Sequence, residues 1–376
     1  MSDIYDELNV KKIINAAGTY TVLGGSRMSD KTLADIKAAS GAFVRIRDLQ
    51  EKINKEIAKM TKNEAAYVTN GAAAGLYLAT CAALQKHYGK RHFYLDELER
   101  SCCNAVVFKA HRNPYDYTIG QAGVAYKEVA YPNSILPVTA EDFEAAIDED
   151  TCMVYYVWAV WTPDGAANVS LEDVIEIAHK HGVPVIVDAA AQLPPLENLW
   201  RFTSGMGADA ALFSGGKDIR GPQSSGLMVG KKDFIEAASS IGFPVYGAGR
   251  MQKVGREEQV GLYSALKQYI EMDHEARAEW CEGEVRKVID AFADSKVFRG
   301  ERSFPNEAGQ PIARTWVHII KEGVGVETVK KHLLDGDPSV FVMDDGHNNF
   351  FINPMEMYEG ETETVIAQLK KFELII

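Results

Sequence analysis

Lys217 sits among small residues that would let a bulky partner come close to its amine. The stretch reads Asp209-Ala-Ala-Leu-Phe-Ser214-Gly-Gly-Lys217-Asp-Ile-Arg-Gly-Pro-Gln-Ser-Ser-Gly226-Leu-Met-Val-Gly230. An apolar strand from Ala210 to Phe213 is expected, then a tight loop carrying the lysine, then a second strand from Leu227 to Val229. A lysine held at such a strand-to-loop junction loses part of its hydration. Its pKa falls and its amine becomes a nucleophile toward an aldehyde. Upstream, Val183-Pro-Val-Ile-Val187 has the continuous apolar pattern of a strand covered on both faces, and it ends in Asp188, followed by Ala-Ala-Ala-Gln192. An acid at the carboxyl end of a buried strand lies where open α/β sheets bind ligands.

An aspartate ending one strand and a lysine just beyond a later one suit pyridoxal phosphate. The lysine would carry the cofactor as a Schiff base, and the carboxylate would keep the pyridine nitrogen protonated. Singly, each residue has a plainer reading: a surface-loop lysine and a helix-capping aspartate. Their order and setting together favour the cofactor. Gln192, one turn past Asp188, could reach a polar cofactor edge.

The elements that must position these residues alternate along the chain. A helical pattern from Ser29 to Ala39 has Ser29 as its N-cap, and Leu49, Ile53, Ile57 and Met60 recur at amphipathic helical spacing. Ala65 to Thr69 reads as a strand, and Asn70-Gly-Ala-Ala-Ala-Gly-Leu opens a helix of small residues. Further strands are expected at Arg91–Leu95 and at Met153–Val160, the latter running to a turn at Trp161–Gly165. Ser170-Leu-Glu-Asp173 is a capping-box start for a helix stopping at Gly182. Strand, helix and strand in succession mark a parallel sheet between helices. One long helix is expected over Glu257–Phe292. A smaller α+β domain should follow, with elements at Arg314–Ile320, Val326–Leu334, Val340–Met343, Phe350–Asn353 and Glu361–Phe372.

Ser214-Gly-Gly-Lys217 with Gly-Pro-Gln-Ser-Ser-Gly after it, and Val-Asp188-Ala-Ala-Ala before it, resembles the fold-type-I pyridoxal phosphate enzymes. Ile14-Asn-Ala-Ala-Gly-Thr19 and Asn63-Glu-Ala-Ala-Tyr-Val-Thr-Asn-Gly-Ala-Ala-Ala74 narrow the likeness to the branch related to bacterial selenocysteine synthase. It extends from about residue 10 to the C-terminus. The resemblance implies an N-terminal arm (1–45) packing with the small domain, a large cofactor-binding α/β domain (46–255), and a linking helix with a small C-terminal domain (256–376). It also implies a homodimer. Gly71, Ala72 and Ala73 would bind the cofactor phosphate through backbone N–H groups at a helix start, and Ser214 would border the cofactor. Cys102 stands where such enzymes place the residue that stacks on the pyridine ring. Thr19 and Arg314 would contact substrate, as would Arg250, each with an alternative: a turn, an edge strand and a solvated charged face respectively. The implied reaction is loss of water and ammonia from a 2-amino-3-hydroxy acid. A selenocysteine-synthase-like transfer, or an aldolase or racemase reaction on another amino acid, would use the same apparatus.

Composition narrows the partners. A hydrophobic fraction of 46% and a charged fraction of 25% are those of a globular protein, and a net charge of −13 disfavours a nucleic-acid surface. The 5 cysteines show no Cys-x-x-Cys pair, so no metal site is indicated. The acidic start Met-Ser-Asp-Ile-Tyr-Asp-Glu-Leu lacks the apolar segment of a leader, and no apolar run reaches membrane-spanning length. A cytoplasmic enzyme acting on a small amine is the expectation.

Overall fold

A computed structural model describes residues 3–130, 137–158 and 169–376. The chain divides into two compact units, Arg27–Glu271 and a second made of residues up to Ser26 with Met272–Ile376.

The first unit is built on a seven-stranded sheet. Its strands in chain order are β1 (Ala65–Thr69), β2 (Asn104–Phe108), β3 (Ala125–Val129), β4 (Thr151–Val157), β5 (Val185–Asp188), β6 (Ala210–Ser214) and β7 (Gly226–Gly230). They lie side by side as β1-β7-β6-β5-β4-β2-β3. β7 runs antiparallel to both neighbours, and the pairs from β6 across to β3 are parallel. Every residue of β4 and the apolar residues of β5 are buried, which explains why both read as unbroken apolar runs rather than alternating ones. The helix Ala72–Tyr88 is buried continuously from Ala74 to Leu84, and its Ala and Gly residues let it sit close against the sheet. The amphipathic helix Ile46–Met60 buries Ile53, Ile57 and Ala58. Ser170 Oγ accepts the Asp173 N–H at 3.1 Å and starts the helix Leu171–Lys180.

Three expectations are corrected. Arg91–Leu95 is not a strand. His92–Tyr94 forms a 3-10 turn, and Asp96 with Glu99 makes a reciprocal capping box that starts the helix Glu97–Cys102. The strand comes afterwards, as β2. The expected helix from Glu257 to Phe292 is two, Arg256–Glu271 and His274–Ala291. Asp273 is extended and accepts the Ala276 N–H at 2.9 Å, so a new helix starts there. β4 ends at Val157, and the expected turn at Trp161–Gly165 lies outside the described residues.

The second unit holds a four-stranded antiparallel sheet in the order Met343–Asp344, Asn349–Ile352, Arg314–Ile319, Phe298–Ser303. Helices His274–Ala291, Val326–Asp335 and Glu361–Ile375 belong with it, and Phe298, Phe350, Val317, Leu333 and Phe372 share one core. The N-terminal strand Ile13–Asn15 pairs in parallel with Ser339–Phe341. Among the described residues, no helix is long and apolar enough to cross a membrane.

Candidate active site

The register of the first sheet brings the chemical residues to one edge. Val157 pairs with Asp188, and Asp188 with Leu212 on β6. Ser214, which ends β6, pairs with Gly226, and Gly226 also pairs with Thr69 at the end of β1. Asp188, the Lys217 loop and the Gly71 turn therefore all lie beyond carboxyl ends of strands on the same side, as ligand sites in open α/β sheets do.

Burial dominates Lys217 and lowers its pKa, with the charge of Asp188 only partly opposing that shift. More of its amine is therefore neutral at a given pH than for an ordinary lysine, the state needed to attack an aldehyde. The backbone beside it is tightly packed: a Cβ on Gly216 would come within 2.4 Å of Gln223 Cα, so only glycine fits there.

Each oxygen of Asp188 has its own donor. The Ala190 N–H reaches Oδ1 at 3.0 Å, and the Tyr155 hydroxyl reaches Oδ2 at 2.8 Å. Tyr155 is wholly buried on β4 and accepts from Asn113 Nδ2 at 3.1 Å. Asn113 belongs to the segment that leaves the carboxyl end of β2, and the same amide nitrogen donates to the His111 carbonyl at 3.1 Å. His111 is buried, which pushes its pKa down to about 4, and its Nδ1 accepts the Val157 N–H at 3.2 Å. It is a neutral imidazole that pins this segment to β4.

A cavity of about 340 Å³ is lined by Lys217, Asp188, Gln192, Asn113, Arg112 and Tyr115, among others. The volume is within the range of small-molecule sites, roughly 300–1,000 Å³. Arg112 is already committed: its Nε lies 2.6 Å from Asp116, it pairs with Glu128, and its guanidinium covers the Tyr126 ring at 3.8 Å. A larger surface cleft of about 690 Å³ runs beside Lys86 and Asp233, which pair with each other at 2.5 Å. It contains none of the residues singled out for chemistry.

Gly71 opens the helix Ala72–Tyr88 with φ +112°, a conformation that favours glycine, and no side chain caps this end. The first intrahelical bond is Gly75 N–H to the Gly71 carbonyl at 3.0 Å. The N–H groups of the first turn thus point outward from the sheet edge, as an anion cradle requires. The buried lysine, the carboxylate and this glycine-opened helix fit pyridoxal phosphate: an aldehyde, a ring nitrogen and a phosphate have one partner each.

Not every expected residue joins this site. Gln192 lines the cavity, and Ser214 stands at the same edge, its N–H donating to the Ala190 carbonyl at 3.2 Å. Cys102 is corrected. It lies exposed before β2 begins, at the amino edge, separated from Asp188 by the run from the Asn104–Thr151 pair to the Val157–Asp188 pair, roughly 20 Å of strand. It cannot stack on a ring held there. Arg250 does not line the cavity; its guanidinium lies over Phe243 and Tyr246 at 5.3 and 5.9 Å. In the second unit, Arg314 donates to Glu307 at 2.8 Å and covers Phe351 at 3.7 Å. Burial pushes the Glu307 carboxyl upward. Thr19 follows Gly18, whose Cβ position is 3.1 Å from both Glu307 and Asn353, so Thr19 and Arg314 are neighbours of one polar cluster. The residues that sequence reasoning missed are Tyr155, Asn113 and Tyr115.

Residues 33–269 match the aminotransferase class-V family, and the chain belongs to it. It is accordingly a pyridoxal phosphate-dependent enzyme of fold type I. A curated relative from Salmonella typhimurium, D-glucosaminate-6-phosphate ammonia lyase, is 28% identical over 377 residues, spanning 98% of this chain and 97% of that enzyme. Another, 5'-C-glycyluridine monooxygenase-decarboxylase from a Streptomyces species, is 26% identical over 98% of this chain and 92% of its own length. A solved structure of D-glucosaminate-6-phosphate ammonia-lyase superposes with a TM-score of 0.83 at 27% identity, covering 100% of this chain and 99% of that one. The whole-chain likeness supports a lyase.

Proposed function

We propose that this enzyme removes ammonia from a 2-amino-3-hydroxy acid, with D-glucosaminate 6-phosphate as substrate and 2-keto-3-deoxygluconate 6-phosphate as product. The observation that carries the reading is the pairing of a whole-chain likeness to a curated ammonia lyase with an intact, buried Lys217 on the same strand edge as Asp188. When bound, pyridoxal phosphate supplies the electron sink that makes the substrate α-proton acidic.

In this reading the chain's own groups do the rest. Lys217 Nζ would hold the cofactor's aldehyde carbon, and its amine would take the substrate α-proton as general base. Asp188 holds the ring-nitrogen proton. The amide hydrogens of Gly71, Ala72 and Ala73 hold the phosphate. Gln192 and Ser214 border the ring. The β-hydroxyl leaves as water, and a second water enters as ammonia departs, so the net loss is ammonia alone. From the family resemblance we also infer a homodimer, which light scattering would test.

The deciding experiment measures ammonia and 2-oxo acid released from D-glucosaminate 6-phosphate, with the unphosphorylated sugar acid as control. Equal release of both products from the phosphorylated compound alone is expected. Absence of release by a protein that retains bound cofactor would reject the substrate.

A further inference from the structure

The contact between Tyr155 and Asp188 has a fixed direction, and that direction matters for the cofactor ring. Asn113 Oδ1 accepts the Tyr115 N–H at 2.8 Å, so the amide cannot turn over without losing that bond. Its Nδ2 must then face the Tyr155 oxygen, at 3.1 Å, and a tyrosine hydroxyl has only one hydrogen to give. That hydrogen goes to Asp188 Oδ2, 2.8 Å away. Burial, reinforced by the charge of Asp188, pushes the Tyr155 phenol well above its ordinary pKa, so it is a donor across the working pH range. With Ala190 N–H on Oδ1 at 3.0 Å, the carboxylate has a donor from the protein itself on each oxygen. Among the described residues, the charged and titratable neighbours include Tyr155 on β4, Lys217 after β6, and Arg112, Tyr115 and Asp116 on the segment after β2.

A carboxylate that already accepts hydrogen bonds is a weaker base, because those bonds stabilise its charged form. We propose that Tyr155, oriented by Asn113, is a positioning residue that keeps the proton shared between Asp188 and the cofactor on the ring nitrogen instead of on the carboxylate. The proposal rests on the reading that Asp188 faces the ring nitrogen. Tyr155 touches neither substrate nor cofactor in this account and acts only through Asp188. Its removal should shift the proton toward Asp188, weaken the ring's electron withdrawal and slow α-proton loss.

The test uses holoenzyme loaded with pyridoxal phosphate labelled with nitrogen-15 in the ring, whose chemical shift reports ring protonation directly. Wild type should show a pyridinium-like shift. Tyr155→Phe should move it toward neutral pyridine and lower kcat by roughly tenfold with KM little changed, and Asn113→Ala should move it less, in the same direction. A folded Tyr155→Phe enzyme with an unmoved nitrogen shift would overturn the proposal. Should Tyr155→Phe not fold, the Asn113→Ala shift decides in the same way. Asp188→Asn separates the two readings. If that variant also leaves the ring nitrogen unchanged, Asp188 is not the ring partner and the underlying reading fails. If it moves the shift while Tyr155→Phe does not, only the role of Tyr155 fails.

Discussion

The two edges of the first unit's sheet both carry buried ionisable groups, and they treat them in opposite ways. At the amino edge, Asp209 accepts from the Val185 N–H and from His179 Nε2, each at 2.8 Å, and pairs with Lys231 at 3.0 Å. Its charge is compensated on both oxygens. At the carboxyl edge, burial governs Lys217 and the charge of Asp188 offsets it only in part. A satisfied cluster ties β5, β6 and the end of β7 together. An incompletely compensated amine is stored reactivity, held in place by the rest of the fold. The difference is usable: changes at one edge should cost chemistry, and changes at the other should cost stability.

Lys217→Ala should have the largest effect, abolishing covalent cofactor attachment and reducing turnover to background. Mass spectrometry after borohydride treatment would show it, and a surviving adduct at another lysine would remove Lys217 from its role. Next, Asp188→Asn should retain cofactor but lower turnover by roughly 10²-fold or more; a near-normal rate would dissociate the carboxylate from the reaction. At the other edge, Asp209→Ala strands the Val185 N–H and should cost about 2 kcal/mol. Denaturant unfolding would measure that cost, while activity per folded molecule stays unchanged. Loss of activity without loss of stability would erase the distinction between the edges.

A smaller effect concerns pH. In the cofactor-free protein the folded-state pKa of Lys217 lies below its unfolded value of about 10.4. Burying the charged amine is a penalty present in full below the folded pKa, and it fades as pH rises to the unfolded value. Wild-type stability should therefore climb through that window relative to Lys217→Met, which should be the more stable variant at neutral pH. Parallel stability curves for the two proteins would show that the amine is not strained by burial. The smallest effect expected is that of Cys102→Ser, with cofactor binding and turnover unchanged, as its place at the amino edge dictates.

The parts of this site carried by one local stretch were legible in the sequence. The lysine loop, the aspartate that closes β5 and the glycine-opened helix each announce themselves by residue type and neighbours. Tyr155 did not, because it sits mid-strand in an apolar run and its hydroxyl meets Asp188 only through the pairing of β4 with β5. Asn113 was hidden for the same reason: its partner is 42 positions away in the chain. The misplaced strand at Arg91–Leu95 shows a local signal being outvoted, since Asp96 and Glu99 start a helix immediately after a short apolar run. Cys102 follows from the family resemblance, which expects the ring-stacking residue just after the strand read at Arg91–Leu95; the strand begins instead at Asn104, so Cys102 precedes it at the other edge. The break at Met272–Asp273 was masked by helical propensity on both sides.

The lysine loop leaves the sheet at Ser214 and re-enters it at Gly226, and those two residues are direct partners in the ladder. Its ends are therefore clamped to each other as well as to the fold. Gly215 N–H donates to the Ser225 carbonyl at 2.9 Å and Gly221 N–H to the Gly215 carbonyl at 2.8 Å, cross-bracing it from within. A lysine carried this way sits on a braced backbone and reaches its partners by rotating its own side chain. The amine has a short swing from a braced pivot, so in the proposed reaction it would pass between holding a partner and collecting a proton with no loop to refold between the two tasks.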